Sequence, residues 1–162
     1  MTNATIELTG SGPSPYVVNH PIQEPVVTLY KAIRSDPDLL DQVVAEVAHA
    51  IERTAYWDDV ERIGLAVWEA LANAIVHGNH CDCKKKVEIA VGLNGSGDLY
   101  VIVKDSGSGF DPSRLLDPTA AGNVLADQGR GIFLMRQLLD EVDFRFDHGT
   151  EVRMLRRRPW RE

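Results

Sequence analysis

Glu69, Asn73 and His77 recur at i, i+4 and i+8 within an otherwise apolar stretch, so on a helix they form one narrow polar stripe. Ile63, Val67, Trp68, Leu71, Ala74 and Ile75 make the broad apolar face, and Leu65, Ala72 and Val76 extend it. Ala66 and Ala70 border the stripe with side chains small enough to leave room beside it. A carboxylate and a carboxamide one turn apart suit a hard cation that takes oxygen ligands and keeps its waters. The carboxylate can also take a proton from a nucleophile. A plain solvent-facing side of an amphipathic helix accounts for the same spacing.

Two glycine-bearing segments carry a second kind of chemistry. Asp105-Ser-Gly107-Ser-Gly109-Phe110 follows a run of β-formers, which places a carboxylate at a strand end with glycines that let the backbone approach a ligand. Gly129-Arg130-Gly131 precedes an apolar-periodic stretch, and free N–H groups at a helix start attract phosphate. Each string alone reads equally well as a turn.

The elements that must position these residues follow from periodicity and punctuation. Pro25–Ile33 reads as strand one. Asp36-Pro37-Asp38 starts helix one, which runs to about Arg53 through Leu39, Leu40, Val43, Val44, Val47, Ala50 and Ile51. Helix two spans about Asp58–His77, with an acidic first turn and a close at Gly78-Asn79, residues that tolerate a left-handed conformation. Lys86–Leu93 and Leu99–Lys104 form a hairpin across Asn94–Asp98. Gly107–Gln128 has the length and composition of a ligand-covering lid. A helix over Gly129–Leu139 and a hairpin of Val142–Asp147 with Thr150–Leu155 complete the chain. Paired strands with helices in separate blocks predict an α+β fold, a mainly antiparallel sheet with helices on one face.

The 162 residues suffice for one domain, and a net charge of −7 opposes nucleic-acid binding, which draws its energy from basic residues. The basic run around Arg156-Arg157-Arg158 reads as a solvated tail. No segment approaches the roughly 20 apolar residues of a membrane span, and no signal-peptide order is present, so a cytoplasmic protein with no membrane partner is expected. Cys81 and Cys83 are expected to be reduced thiols. Together with His77 and His80 they offer zinc ligands, but C-x-C lacks the gap common in structural zinc sites.

In this order and spacing, Glu69-Ala-Leu-Ala-Asn73-Ala-Ile-Val-His77-Gly78-Asn79, Asp105-x-Gly107-x-Gly109-Phe110, Gly129-Arg130-Gly131-Ile132-Phe133-Leu134-Met135 and Gly149-Thr150 resemble one known group. It is the GHKL (histidine-kinase-like) ATPase superfamily, and within it the bacterial anti-sigma regulatory factors with serine-protein kinase activity. The likeness covers about Pro25 to Leu155. It implies a Bergerat-type two-layer α/β sandwich with ATP between helix two, the sheet edge and the lid. The implied division is an N-terminal arm of unassigned role over 1–24, the ATPase domain over 25–155 and a basic tail over 156–162.

Position by position, the resemblance makes Glu69 the general base toward a serine hydroxyl and Asn73 the Mg²⁺ ligand. Asp105 would accept the adenine amino proton, with Gly107 and Gly109 shaping the base pocket. Gly129, Arg130 and Gly131 would meet the phosphates, His77 would lie near them, and Thr150 would support the adenine. The implied partners are a sigma factor, sequestered by the protein, and an anti-sigma-factor antagonist, phosphorylated on serine. Apolar residues of helix one or strand one would serve a homodimer, and a core role explains them equally well. Kinases of this type carry an Arg shortly before the second glycine motif, where this chain has Ala126-Asp127-Gln128; Arg130 and Arg114 are the candidates to replace its charge. The alternative is an ATP-binding regulatory module of the same fold that acts through partners without transferring phosphate. A complete sensor kinase is not expected at this length.

Overall fold

Among the described residues, five runs of β-branched and aromatic residues form the strands of one sheet. The structure, a computed structural model, describes residues 26–108 and 130–158. In chain order the elements are β1 (Val26–Arg34), α1 (Leu40–Glu52), α2 (Val60–Ala72), β2 (Lys86–Leu93), β3 (Leu99–Asp105), α3 (Arg130–Leu138), β4 (Glu141–Phe146) and β5 (Thr150–Arg156). All neighbouring strands are antiparallel, in the order β1-β2-β3-β5-β4. This is the α+β sandwich expected from the sequence, with the final hairpin turned so that β5, not β4, lies beside β3.

One face of the sheet carries Val87, Ile89, Val91, Val101, Val103, Val152 and Met154, all buried and paired across strands by the register. The helices cover that face, because each presents an apolar stripe and only the sheet can remove it from water. In α1 the stripe is Leu40, Val43, Val47 and Ile51. Its entry is set by Asp36, whose side chain accepts the Asp38 N–H at 3.1 Å, with Pro37 in the first turn. On β1, Lys31 reaches Glu46 of α1 at 2.6 Å, and that hydrogen bond holds the Glu46 carboxyl below its ordinary range.

Helix α2 departs from the expected face in two ways. Leu65, Trp68 and Val76 are exposed, and Trp68 donates its indole N–H to Asp41 of α1 at 3.3 Å. Ala66 and Ala70 are fully buried, so they leave no room beside the polar stripe. The helix packs against α1 and α3 as well as the sheet, and small residues permit that close approach.

The helix also does not end as its sequence suggests. After Ala72 it widens into a π turn over Asn73–Gly78, and Asn79 keeps a right-handed backbone, φ −94°. The left-handed residues are the next two, His80 (φ 56°) and Cys81 (φ 55°).

At the far end of the sheet, Tyr56 is fully buried and its hydroxyl joins two loops. It donates to the Gly97 carbonyl at 2.7 Å and accepts from the Leu99 N–H at 3.1 Å. Burial, helped by the nearby Asp98 charge, pushes this hydroxyl up to about 12. The arginines expected as a solvated tail are partly engaged here: Arg156 pairs with Asp59 at 2.8 Å and Asp140 at 3.2 Å, and Arg157 with Glu141 at 2.8 Å.

Candidate functional site

The site begins where β3 ends. Asp105 is only 3% exposed, and its Oδ1 accepts the Gly107 N–H at 2.8 Å and the Thr150 N–H at 3.0 Å. Thr150 can reach it because β5 starts beside the end of β3, Glu151 pairing with Lys104. Two main-chain donors on one oxygen fix the orientation of the carboxylate. Oδ2 accepts no hydrogen bond from the described residues.

The backbone closes around this carboxylate so tightly that side chains are excluded. A methyl group at Gly78 would overlap the Asp105 carboxylate, one at Gly107 would overlap the Gly78 carbonyl, and one at Gly149 would overlap the Asp105 carbonyl. The end of the α2 π turn, the strand-end turn and the start of β5 therefore converge on one acidic side chain. Gly149 also has φ 132°, a conformation that glycine alone adopts without strain.

Further along α2, Glu69 and Asn73 are half-buried and face the first turn of α3. A methyl group at Gly131 would lie 2.5 Å from Glu69 Oε2 and 3.5 Å from Asn73 Nδ2. The first turn of α3 is thus set beside a carboxylate and a carboxamide, and a helix start with such neighbours can meet phosphate oxygens on one side and a cation or proton on the other.

Of the residues singled out from sequence, the structure brings Glu69, Asn73 and Gly131 together, and Asp105, Gly107 and Thr150 together. Thr150 meets Asp105 through its main chain. His77 is exposed on the π turn, and Arg130 is exposed as the first residue of α3. Gly109, Gly129, Arg114 and the stretch Ala126-Asp127-Gln128 lie outside the described residues. Among the described residues, no three His, Cys, Asp or Glu side chains are grouped to hold a metal, so the His77, His80, Cys81 and Cys83 cluster does not form a zinc site there. Both cysteines are free and exposed.

Sequence reasoning gave Gly78 and Asn79 no role of their own around Asp105: they were read as a helix stop and as the end of the first family motif. The signal was their position at the end of the polar stripe, which ordinary helix-capping chemistry masks.

The sequence profile of the histidine kinase-like ATPase domain matches residues 33–156, which contain all of this geometry. The serine-protein kinase RsbW of Bacillus velezensis is 30% identical over 129 residues, spanning 75% of this chain and 80% of that protein. The chain belongs to the RsbW family of histidine kinase-like ATPase domains. Another RsbW serine-protein kinase, from Bacillus pumilus, is 30% identical over 141 residues, covering 82% of this chain and 87% of the relative. The fold is shared with the structure of the RsbU and RsbW domains of Rv1364c from Mycobacterium tuberculosis, at a TM-score of 0.59 and 23% identity, over 86% of this chain and 34% of that one. It is also shared with the histidine kinase domain of a blue-light activated histidine kinase from Erythrobacter litoralis, at 0.52 and 22%, over 78% and 62%. In this RsbW-family chain, no helix among the described residues is long and apolar enough to cross a membrane.

Proposed function

We propose that the protein is an ATP-dependent serine kinase that phosphorylates an anti-sigma-factor antagonist and, when not engaged with it, sequesters a sigma factor. The observation that carries this reading is the abutment of Gly131 on Glu69 and Asn73, which sets a helix N-terminus beside a candidate base. In this reading ATP lies with its adenine at Asp105 and its phosphates at the start of α3. A carboxylate is the right partner for adenine, because it accepts from an exocyclic amino group and repels the carbonyl that guanine carries at that edge. The two N–H groups on Oδ1 support this reading by fixing the carboxylate's orientation.

Asn73 would hold Mg²⁺ through its side-chain oxygen, with water completing the shell; the oxygen-donor chemistry fits a hard cation, which supplies charge neutralisation of the phosphates when bound. Glu69 takes the proton from the incoming serine hydroxyl, and Gly131 and its neighbours present N–H groups to the phosphates. Gly107 and Gly109 shape the base pocket, Gly129, Arg130 and His77 lie toward the phosphates, and Thr150 secures Asp105 from β5. Residues 25–155 form the ATPase domain, between an arm over 1–24 and a tail over 156–162, and the setting is the bacterial cytoplasm.

Ala126-Asp127-Gln128, where related kinases place an arginine, favours a second reading in which ATP is bound and no phosphate is transferred. One experiment decides. The protein is incubated with γ-labelled ATP, Mg²⁺ and the antagonist protein encoded beside it. Label on an antagonist serine, lost in Glu69→Gln, supports the kinase; ATP binding without labelled antagonist refutes it.

A further inference from the structure

Asn79 is fully buried although it carries a polar side chain, and it lies directly after the helix that ends at Gly78. Its amide is satisfied on both sides by main chain from two different places. Nδ2 donates to the Lys86 carbonyl at the start of β2, at 2.9 Å, and Oδ1 accepts the Ser106 N–H just beyond β3, at 3.0 Å. Ser106 Oγ donates to the same Lys86 carbonyl at 3.3 Å, which closes a triangle. Its own N–H donates to the Ala74 carbonyl at 2.8 Å, tying it back into the π turn.

The partners decide why this residue is an asparagine. One carbonyl and one N–H must be met by a single short planar group, and only a carboxamide offers a donor and an acceptor in that geometry. An aspartate of the same shape would set a carboxylate oxygen against the Lys86 carbonyl. A serine would not span both partners.

The residue that Asn79 grips sits between Asp105 and Gly107. Gly107 in turn lies against the Gly78 carbonyl, and Asp105 against the Gly78 Cα. We propose that Asn79 is a positioning residue for the nucleotide site: its amide locks the Asp105-Ser106-Gly107 turn against the end of α2 and so sets the height and orientation of the base-recognising carboxylate. The inference rests on the ATP-site reading above, and it assigns Asn79 no contact with the nucleotide.

Loss of the lock lowers the fraction of molecules whose turn is already in the binding-competent form, and apparent affinity falls by that fraction. One unsatisfied buried group, worth about a factor of ten in such a balance, predicts an about tenfold rise in the dissociation constant. Because Asn79 acts at the base end, the loss is equal for ATP, ADP and AMP. Turnover at saturating ATP stays within about twofold of wild type, since the phosphate end is untouched.

The test uses the full chain as Asn79→Asp and Asn79→Ser, with dissociation constants for ATP, ADP and AMP, saturated turnover, and thermal unfolding without nucleotide. Equal weakening for the three nucleotides, in variants that still unfold cooperatively well above the assay temperature, supports the inference. Wild-type affinity in either folded variant overturns it, as does a loss confined to ATP. Absence of a folding transition in both variants also overturns it, by making Asn79 a folding residue. Failure of wild type itself to bind ATP instead removes the functional reading on which the inference stands.

Discussion

Gly78→Ala separates helix propensity from pocket geometry, because the two predict opposite signs. Gly78 closes the π turn with an ordinary backbone conformation, so alanine is conformationally allowed there. On propensity alone the substitution stabilises the protein by about 1 kcal/mol. The new methyl, however, overlaps the Asp105 carboxylate, whose Oδ1 binds the Gly107 and Thr150 N–H groups at 2.8 and 3.0 Å. Moving the carboxylate aside gives up at least one charge-assisted hydrogen bond, about 2 kcal/mol. The net change in unliganded stability is then about 1 kcal/mol of destabilisation, or about 3 °C in Tm for a chain of this size. Nucleotide binding bears the geometric loss without the propensity gain, so ATP affinity falls about 30-fold. Titration with a fluorescent ATP analogue, paired with thermal unfolding with and without ATP, reads both quantities. ATP affinity unchanged in Gly78→Ala would show that the position of Asp105 does not govern the site.

Other substitutions probe the remaining parts. Gly131→Ala sets a methyl 2.5 Å from Glu69 Oε2, and kcat should fall by at least about tenfold with little change in ATP affinity; steady-state kinetics showing only a raised KM would contradict this. Asp105→Asn retains the shape but adds an amide donor, and should weaken ATP at least about tenfold while saturated turnover changes little. Glu69→Gln should abolish serine phosphorylation and leave ATP binding intact, and the reverse pattern would overturn the assignment of roles. Tyr56→Phe leaves the Gly97 carbonyl and Leu99 N–H without their shared partner, at a cost of about 1–3 kcal/mol of stability and none of nucleotide affinity. The Tyr56 hydroxyl rises from 10.0 in an unfolded chain to about 12 when folded, so unfolding releases its proton first. Its contribution is intact below pH 10 and is lost as pH climbs from there toward about 12; Tyr56→Phe should lack that part of the alkaline decline in denaturant titrations.

The order of elements was legible because each has its own periodicity, as in Leu40, Val43, Val47 and Ile51 of α1 or the alternation along β3. The pairing of β1 with β2 and of β5 with β3 was not, since partners far apart in sequence leave no local mark. Leu65, Trp68 and Val76 were read as part of the apolar face of helix two and are exposed, whereas packing against both α1 and α3 buries the small Ala66 and Ala70. The π turn was invisible for a related reason: no residue type demands it, and the close approach of Gly78 to Asp105 at its end is long-range in sequence. Glu69, Asn73, Asp105 and Gly131 were legible as chemistry because a carboxylate, a carboxamide and side-chain-free backbone each point to a ligand. Asn79 was not, because an asparagine after Gly is the ordinary punctuation of a helix end, and only its two main-chain partners separate it from that role.

The most direct measurement is a crystal structure of the protein with Mg²⁺ and a non-hydrolysable ATP analogue. The account predicts the adenine amino group on the Asp105 carboxylate and the phosphates at the start of α3 beside Glu69 and Asn73. An analogue bound elsewhere, or bound with its adenine away from Asp105, would contradict it.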